Sequence, residues 1–176
     1  LHRGAVAPSL TLVPWEAGIE GGKETAVNSA VVKDGGVDYT GHLRSYEDGT
    51  TRFEGSDASR MLVVIRSPVD NREIRTTAEY DPQGAQKLTR TSVVDTRTGR
   101  KIHEEMLDIA KRLTVTTQFD ELGAVAAKMS NDQARQVVSR EVFEKGKVVR
   151  VESMDLATGA RTVDDKKTGV RTYVDK

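Results

Sequence analysis

The chain has 176 residues, in which 27 lysines and arginines balance 27 aspartates and glutamates, 36% of residues are hydrophobic and only 5% are aromatic. That length suits one medium domain with a core of its own, but the small apolar share makes any core thin relative to the surface and argues against a deep α/β enzyme interior. The neutral charge gives no basis for a nucleic-acid or anionic-membrane partner, and the absence of cysteine removes disulfides, thiolate metal sites and cysteine nucleophiles together.

Residues 1–35 differ from the rest. They hold Pro8, Pro14, the single tryptophan Trp15 and the glycine-rich stretch GIEGGK. Between the two prolines lies SLTLV, which has strand propensity but no hairpin mate, and proline at both ends keeps it out of the middle of a sheet. This segment reads as an extended N-terminal arm and linker over 1–35, ahead of a second region over 36–176. The chain given opens on Leu1. A start other than methionine fits a processed product, so a secreted, periplasmic or cell-surface address is expected.

From residue 36 onward, turn signals recur about every ten to fourteen residues, the spacing of strands joined by tight turns. They include Glu47-Asp48-Gly49, Gly55-Ser56-Asp57, Asp81 to Gly84, Asp95 to Gly99, Asp120 to Gly123, Asp155 to Gly159 and Asp165 to Gly169. An aspartate side chain can accept from the amide two residues on, and glycine tolerates the positive φ that closes a hairpin. Between the breaks, REIRTTAEY alternates Ile74, Thr76, Ala78 and Tyr80 against Arg75, Thr77 and Glu79, and RLTVTTQF alternates in the same way. Such a period of two with β-branched residues marks half-buried strands. RMLVVIR is apolar on both faces and is expected to be the most buried strand. The fold class expected is mainly β, an antiparallel up-and-down meander forming an extended or curled sheet.

Two segments leave helix and strand both open. HEEMLDIAKR at 103–112 is one. In 119–143, Phe119, Leu122, Val125, Ala126 and Met129, then Ala134, Val137, Val138 and Val142, also fit a spacing of three and four, with Ser130-Asn131-Asp132 as a candidate N-cap between two short helices.

The units YDPQG and FDELG, an aromatic residue followed by aspartate, two further residues and glycine, resemble the hairpin units of YD-repeat and MORN-like proteins. The resemblance implies strand-turn-strand repetition and carries no activity with it.

No catalytic, cofactor or metal constellation emerges. AGIEGGKET at 17–25 approaches a phosphate-binding loop, but Ala17 stands where the first glycine belongs and Glu24 where the hydroxyl belongs. His2, His42 and His103 are each isolated, and Leu107 occupies the position where a second zinc-binding histidine would follow His103. No aspartate-rich stretch supplies the alternating oxygen ligands of a high-affinity calcium loop. No metal, cofactor or catalytic residue is therefore assigned, and no enzymatic activity is expected.

The expectation that remains is a non-enzymatic structural or interaction protein whose sheet edges and N-terminal arm make contacts with other copies. Leu10, Leu12, Val13 and Trp15 are the expected partner-binding residues, with Trp15 as anchor, since an isolated strand satisfies its amides by joining another sheet's edge. An alternative is a half-open barrel that carries a hydrophobic ligand, similar to bacterial periplasmic lipoprotein carriers, although the arm and the low aromatic count fit that class less well.

Overall fold

The computed structural model describes residues 22–174, which form thirteen β-strands and no helix. These residues fall into two compact units with the boundary between Gly99 and Arg100. The first unit holds β1 (Glu24–Asp34), β2 (Val37–Tyr46), β3 (Thr51–Asp57), β4 (Arg60–Ser67), β5 (Arg72–Tyr80) and β6 (Gln86–Asp95). The second holds β7 (Lys101–Asp108), β8 (Leu113–Phe119), β9 (Val125–Asp132), β10 (Val137–Glu144), β11 (Lys147–Asp155), β12 (Arg161–Asp165) and β13 (Arg171–Val174). Within each unit, consecutive strands pair antiparallel in chain order. The fold is the up-and-down meander that the turn spacing predicts.

The acid-to-glycine punctuation closes the hairpins in two related ways. In DPQG and DELG, the carboxylate of Asp81 accepts from the amides of Gln83 and Ala85, and that of Asp120 accepts from Leu122 and Ala124. The glycine amide then donates to the backbone carbonyl of the same aspartate. DTRTG, DLATG and DKKTG insert one more residue: Gly99, Gly159 and Gly169 donate to the carbonyls of Asp95, Asp155 and Asp165, all three glycines at positive φ near 75°. Each turn therefore satisfies its amides with one side chain and one carbonyl, and strand pairing can resume at once.

In the first unit the sheet curls. Alternation places Val32, Tyr39, Phe53, Leu62 and Val64 on one face, and the buried trio Tyr39, Phe53 and Leu62 forms a cluster there with Ala30, Val37 and Leu43 packed around it. Arg75 of β5 lies on the same face and donates to Asp34 of β1 at 2.8 Å, across three intervening strands. The crease is a glycine pair. Gly41 of β2 stands directly opposite Gly55 of β3, and a Cβ on Gly41 would fall 1.9 Å from the Glu54 carbonyl oxygen. The Phe53 ring lies over Gly55, 2.4 Å from where its Cβ would stand, so an aromatic face covers backbone that glycine leaves bare. Phe53 is 1% exposed as a result.

The opposite face of β4 and β5 carries a second cluster of Met61, Val63, Ile65, Ala78 and Tyr80. β4 is therefore buried on both faces, as its unbroken apolar run predicts. Beside this cluster, Thr76 and Thr91 face each other across β5 and β6 and pair their hydroxyls at 3.2 Å, with both side chains buried.

Three expectations are corrected. The segments 103–112 and 119–143 hold no helix: β7 ends where the Asp108 carboxylate accepts from the Lys111 amide, and 119–143 is the end of β8, a turn at Gly123, β9, a turn at Gln136 and β10. The helical spacing arose from apolar residues on two short strands separated by turns. Runs this short make marginal helices, whereas β8, β9 and β10 satisfy one another's backbone groups along their length. Gly55-Ser56-Asp57 is not a turn but the end of β3, and the reversal falls at Ala58, which takes a φ of 39°. Finally, residues 24–34 of the segment read as arm are strand β1, paired with β2 along its length.

Candidate binding groove

In the second unit, the register lines up residues from successive strands into cross-strand rows. One row runs Thr114, Asn131, Val138, Met154, Arg161 and Val174 from β8 to β13. A second row on the same face runs Thr116, Met129, Arg140, Glu152 and Val163. These two rows line a groove of about 630 Å³. Its floor is the half-buried trio Val138, Met154 and Val163, with the more exposed Met129 beside them.

Charge is concentrated on one stretch of this floor. Arg140 lies 3.9 Å from the Glu152 carboxylate, and Arg150, also in the groove lining, contacts the other oxygen of the same carboxylate. Arg161 stands outside this bridge and is exposed. Three guanidinium groups thus share the groove with one carboxylate. The arrangement offers apolar contact together with planar donors for carboxylates.

The row between these two, Val115, Ser130, Ser139, Ser153, Thr162 and Tyr173, alternates to the other face and carries most of its hydroxyls. Ser130 and Ser139 bond at 2.5 Å, and Ser153 bonds Thr162 at 2.9 Å. Next along that face, Arg171 grips Asp164 with two bonds of 2.6 and 2.7 Å. That grip holds the Asp164 carboxyl below the usual carboxylate range and the Arg171 guanidinium above its ordinary value. Among the described residues, strand β13 pairs with β12 alone, and all four of its residues are exposed, Tyr173 by 70%.

The residues expected to bind partners, Leu10, Leu12, Val13 and Trp15, lie outside the described residues. Of the stretch AGIEGGKET, Gly22 precedes β1 with a φ of 74°, and Glu24 opens the strand and binds Arg44 at 2.8 Å. His103 sits on β7, where burial lowers its pKa against the pull of Glu105 and Glu104. Among the described residues, no three histidine, aspartate or glutamate side chains gather as metal ligands, and no helix is long and apolar enough to cross a membrane.

Sequence reasoning missed Arg140, Arg150, Glu152 and Arg161. That they share a face depends on the register of β10, β11 and β12, which no local signal encodes.

By fold, the chain is an antiparallel up-and-down meander with a groove on the face of its second unit. No protein-family model matches it, and no curated protein matches its sequence.

Proposed function

We propose that this is a non-enzymatic structural protein, exported to the periplasm or cell surface or secreted, which assembles with other copies through its sheet edges and its N-terminal arm. The observation that carries the reading is β13. Among the described residues it pairs with β12 on one side only, and every residue from Arg171 to Val174 is exposed, including Tyr173 and Val174. An exposed edge with apolar side chains is a template for a strand from another chain. At the other end, β1 pairs with β2 alone among the described residues and exposes Val27 and Val31. In this reading Leu10, Leu12, Val13 and Trp15 supply the apolar contacts of the arm, with Trp15 as the anchor.

Sedimentation velocity of the full chain from micromolar to hundreds of micromolar tests the reading. Concentration-dependent association is expected. A single monomeric species throughout that range would refute it.

A second reading, a carrier of a hydrophobic ligand, is favoured by one observation, the groove of about 630 Å³ over Val138, Met154 and Val163. Uptake of a fluorescent fatty acid that the substitution Val138→Arg abolishes would support it, and no uptake by the unaltered chain would dismiss it.

A further inference from the structure

The charges of the groove in the second unit do not balance. Arg140 and Arg150 share the Glu152 carboxylate, while Arg161 is exposed and takes part in no ion pair among the described residues. The lining thus carries three guanidinium groups against one carboxylate. A second copy of the same face would set like charges against each other, which disfavours a sandwich of two such faces. An anion is the complementary occupant.

Apolar surface begins beside Arg161 and stops a few strands away. In the row that Arg161 shares, Met154 of β11 and Val138 of β10 come next, and Val163 lies two residues along β12. Met129 of β9 stands diagonally across from Val138. Past these residues both rows turn polar, with Asn131 and Thr114 in one and Thr116 in the other. Three strand spacings of about 4.8 Å and an offset of two residues at about 3.3 Å each set the Cα atoms of Arg161 and Met129 roughly 16 Å apart. A zigzag of carbons joined by bonds of about 1.5 Å spans that distance with about a dozen atoms. The groove's volume of about 630 Å³ is that of a small-molecule site, and the flexible thioethers of Met129 and Met154 can follow the shape of a tail.

We propose that the groove binds a straight-chain aliphatic monocarboxylate of roughly eight to twelve carbons, its carboxylate on the Arg161 guanidinium and its tail over Met154, Val138 and Met129. A guanidinium offers a carboxylate two parallel N–H donors, and Arg161 is the one guanidinium of the lining that no carboxylate already holds. Arg140 and Arg150, bound to Glu152, flank the tail rather than the head. This assignment rests on the carrier reading of the groove and adds to it a headgroup, an anchor and a limit on tail length.

Isothermal titration calorimetry of the full chain with octanoate, decanoate, dodecanoate, tetradecanoate and neutral 1-decanol tests it. Decanoate is expected to bind about tenfold tighter than 1-decanol, the difference a charge-assisted pair makes at an open site. Affinity should rise by up to about fourfold for each methylene from octanoate to dodecanoate, and level off at tetradecanoate, whose tail runs on to Thr116. Arg161→Gln should bring decanoate down to 1-decanol and leave 1-decanol unchanged, so the neutral ligand reports whether the variant keeps its groove. Where that variant loses 1-decanol as well, 1 M sodium chloride on the unaltered chain takes its place and should weaken decanoate alone. Equal affinity for decanoate and 1-decanol, or decanoate binding that neither Arg161→Gln nor salt weakens, overturns the anchor and leaves the carrier reading standing. Affinity independent of tail length overturns the apolar seat. Failure of the unaltered chain to bind any of the five overturns the assignment and the carrier reading together.

Discussion

Arg75 on β5 donates to Asp34 on β1 at 2.8 Å although β2, β3 and β4 lie between them. On a flat sheet, four steps of about 4.8 Å would hold those strands roughly 19 Å apart. The bond therefore measures how far the first unit curls. Burial works against the Arg75 charge, yet the carboxylates of Glu73 and Asp34 hold its pKa above the ordinary value. At the same end of the curl, burial raises the pKa of the Tyr39 hydroxyl; Asp34 among its neighbours pushes the same way, and Arg60 opposes them.

A double-mutant cycle on Asp34→Ala and Arg75→Met reads the strength of this clasp. Both side chains are about one-third exposed, so screening limits the coupling to about 1 kcal/mol. Urea unfolding at low and high salt should give that coupling at low salt and a smaller one in 1 M sodium chloride, about the concentration at which the screening length shrinks to roughly 3 Å. Strictly additive single effects would show that the curl holds without the clasp.

The crease is more sensitive than the clasp. Gly41→Ala sets a methyl group 1.9 Å from the Glu54 carbonyl oxygen, and backbone cannot swing aside as a side chain can. A loss of about 3 kcal/mol is expected, at the upper end of what overpacking costs, comparable to Phe53→Ala, for which about 3–5 kcal/mol follows from the cavity left behind. Equilibrium unfolding midpoints check both. A Gly41→Ala chain with the unaltered midpoint would mean that the strands separate freely at this point.

Turn chemistry makes a sharper distinction. Asp120 accepts two amides with one carboxylate oxygen, a role that asparagine's carbonyl can repeat and alanine cannot. Asp120→Ala is expected to lower stability by about 1 kcal/mol, the net worth of a hydrogen bond to a local amide, with Asp120→Asn close to the unaltered chain. Thermal melts of the two variants decide it, and equal losses would place the effect in charge rather than in hydrogen bonding.

Acid should destabilise the fold in two stages. Burial lowers the pKa of His103 in the folded chain, so the unfolded state takes up its proton first: the stability this adds is whole above the ordinary histidine value near 6.5 and fades as pH falls below it. Asp95, held low by the Arg97 amide, and Asp164, held low by Arg171, come next. Their contribution is full above the ordinary carboxylate value near 4 and is lost as pH drops through their depressed folded values. Unfolding midpoints measured from pH 8 to pH 3 should show both declines, and His103→Gln should remove the upper one alone. An upper decline that persists in His103→Gln would assign it to another group.

What the sequence determined by itself was the punctuation and the alternation. Asp81, Asp95, Asp120, Asp155 and Asp165 with their glycines name turns because a carboxylate bonds amides two to four residues on, an interaction wholly inside its own hairpin. REIRTTAEY and RLTVTTQF read as strands for an equally local reason. In 125–132 and 137–144 the apolar residues also fitted three-and-four spacing and imitated helices, and partners on both sides decided in favour of strand. Gly55 carried the same letter as a turn glycine, but its role depended on Gly41, fourteen residues earlier, standing opposite it. The curl that brings Asp34 to Arg75, and the register that gathers Arg140, Arg150, Glu152 and Arg161 over one apolar floor, belong to the tertiary structure alone. Both are properties of strands side by side, where a shift of a single residue would turn every one of those side chains to the other face.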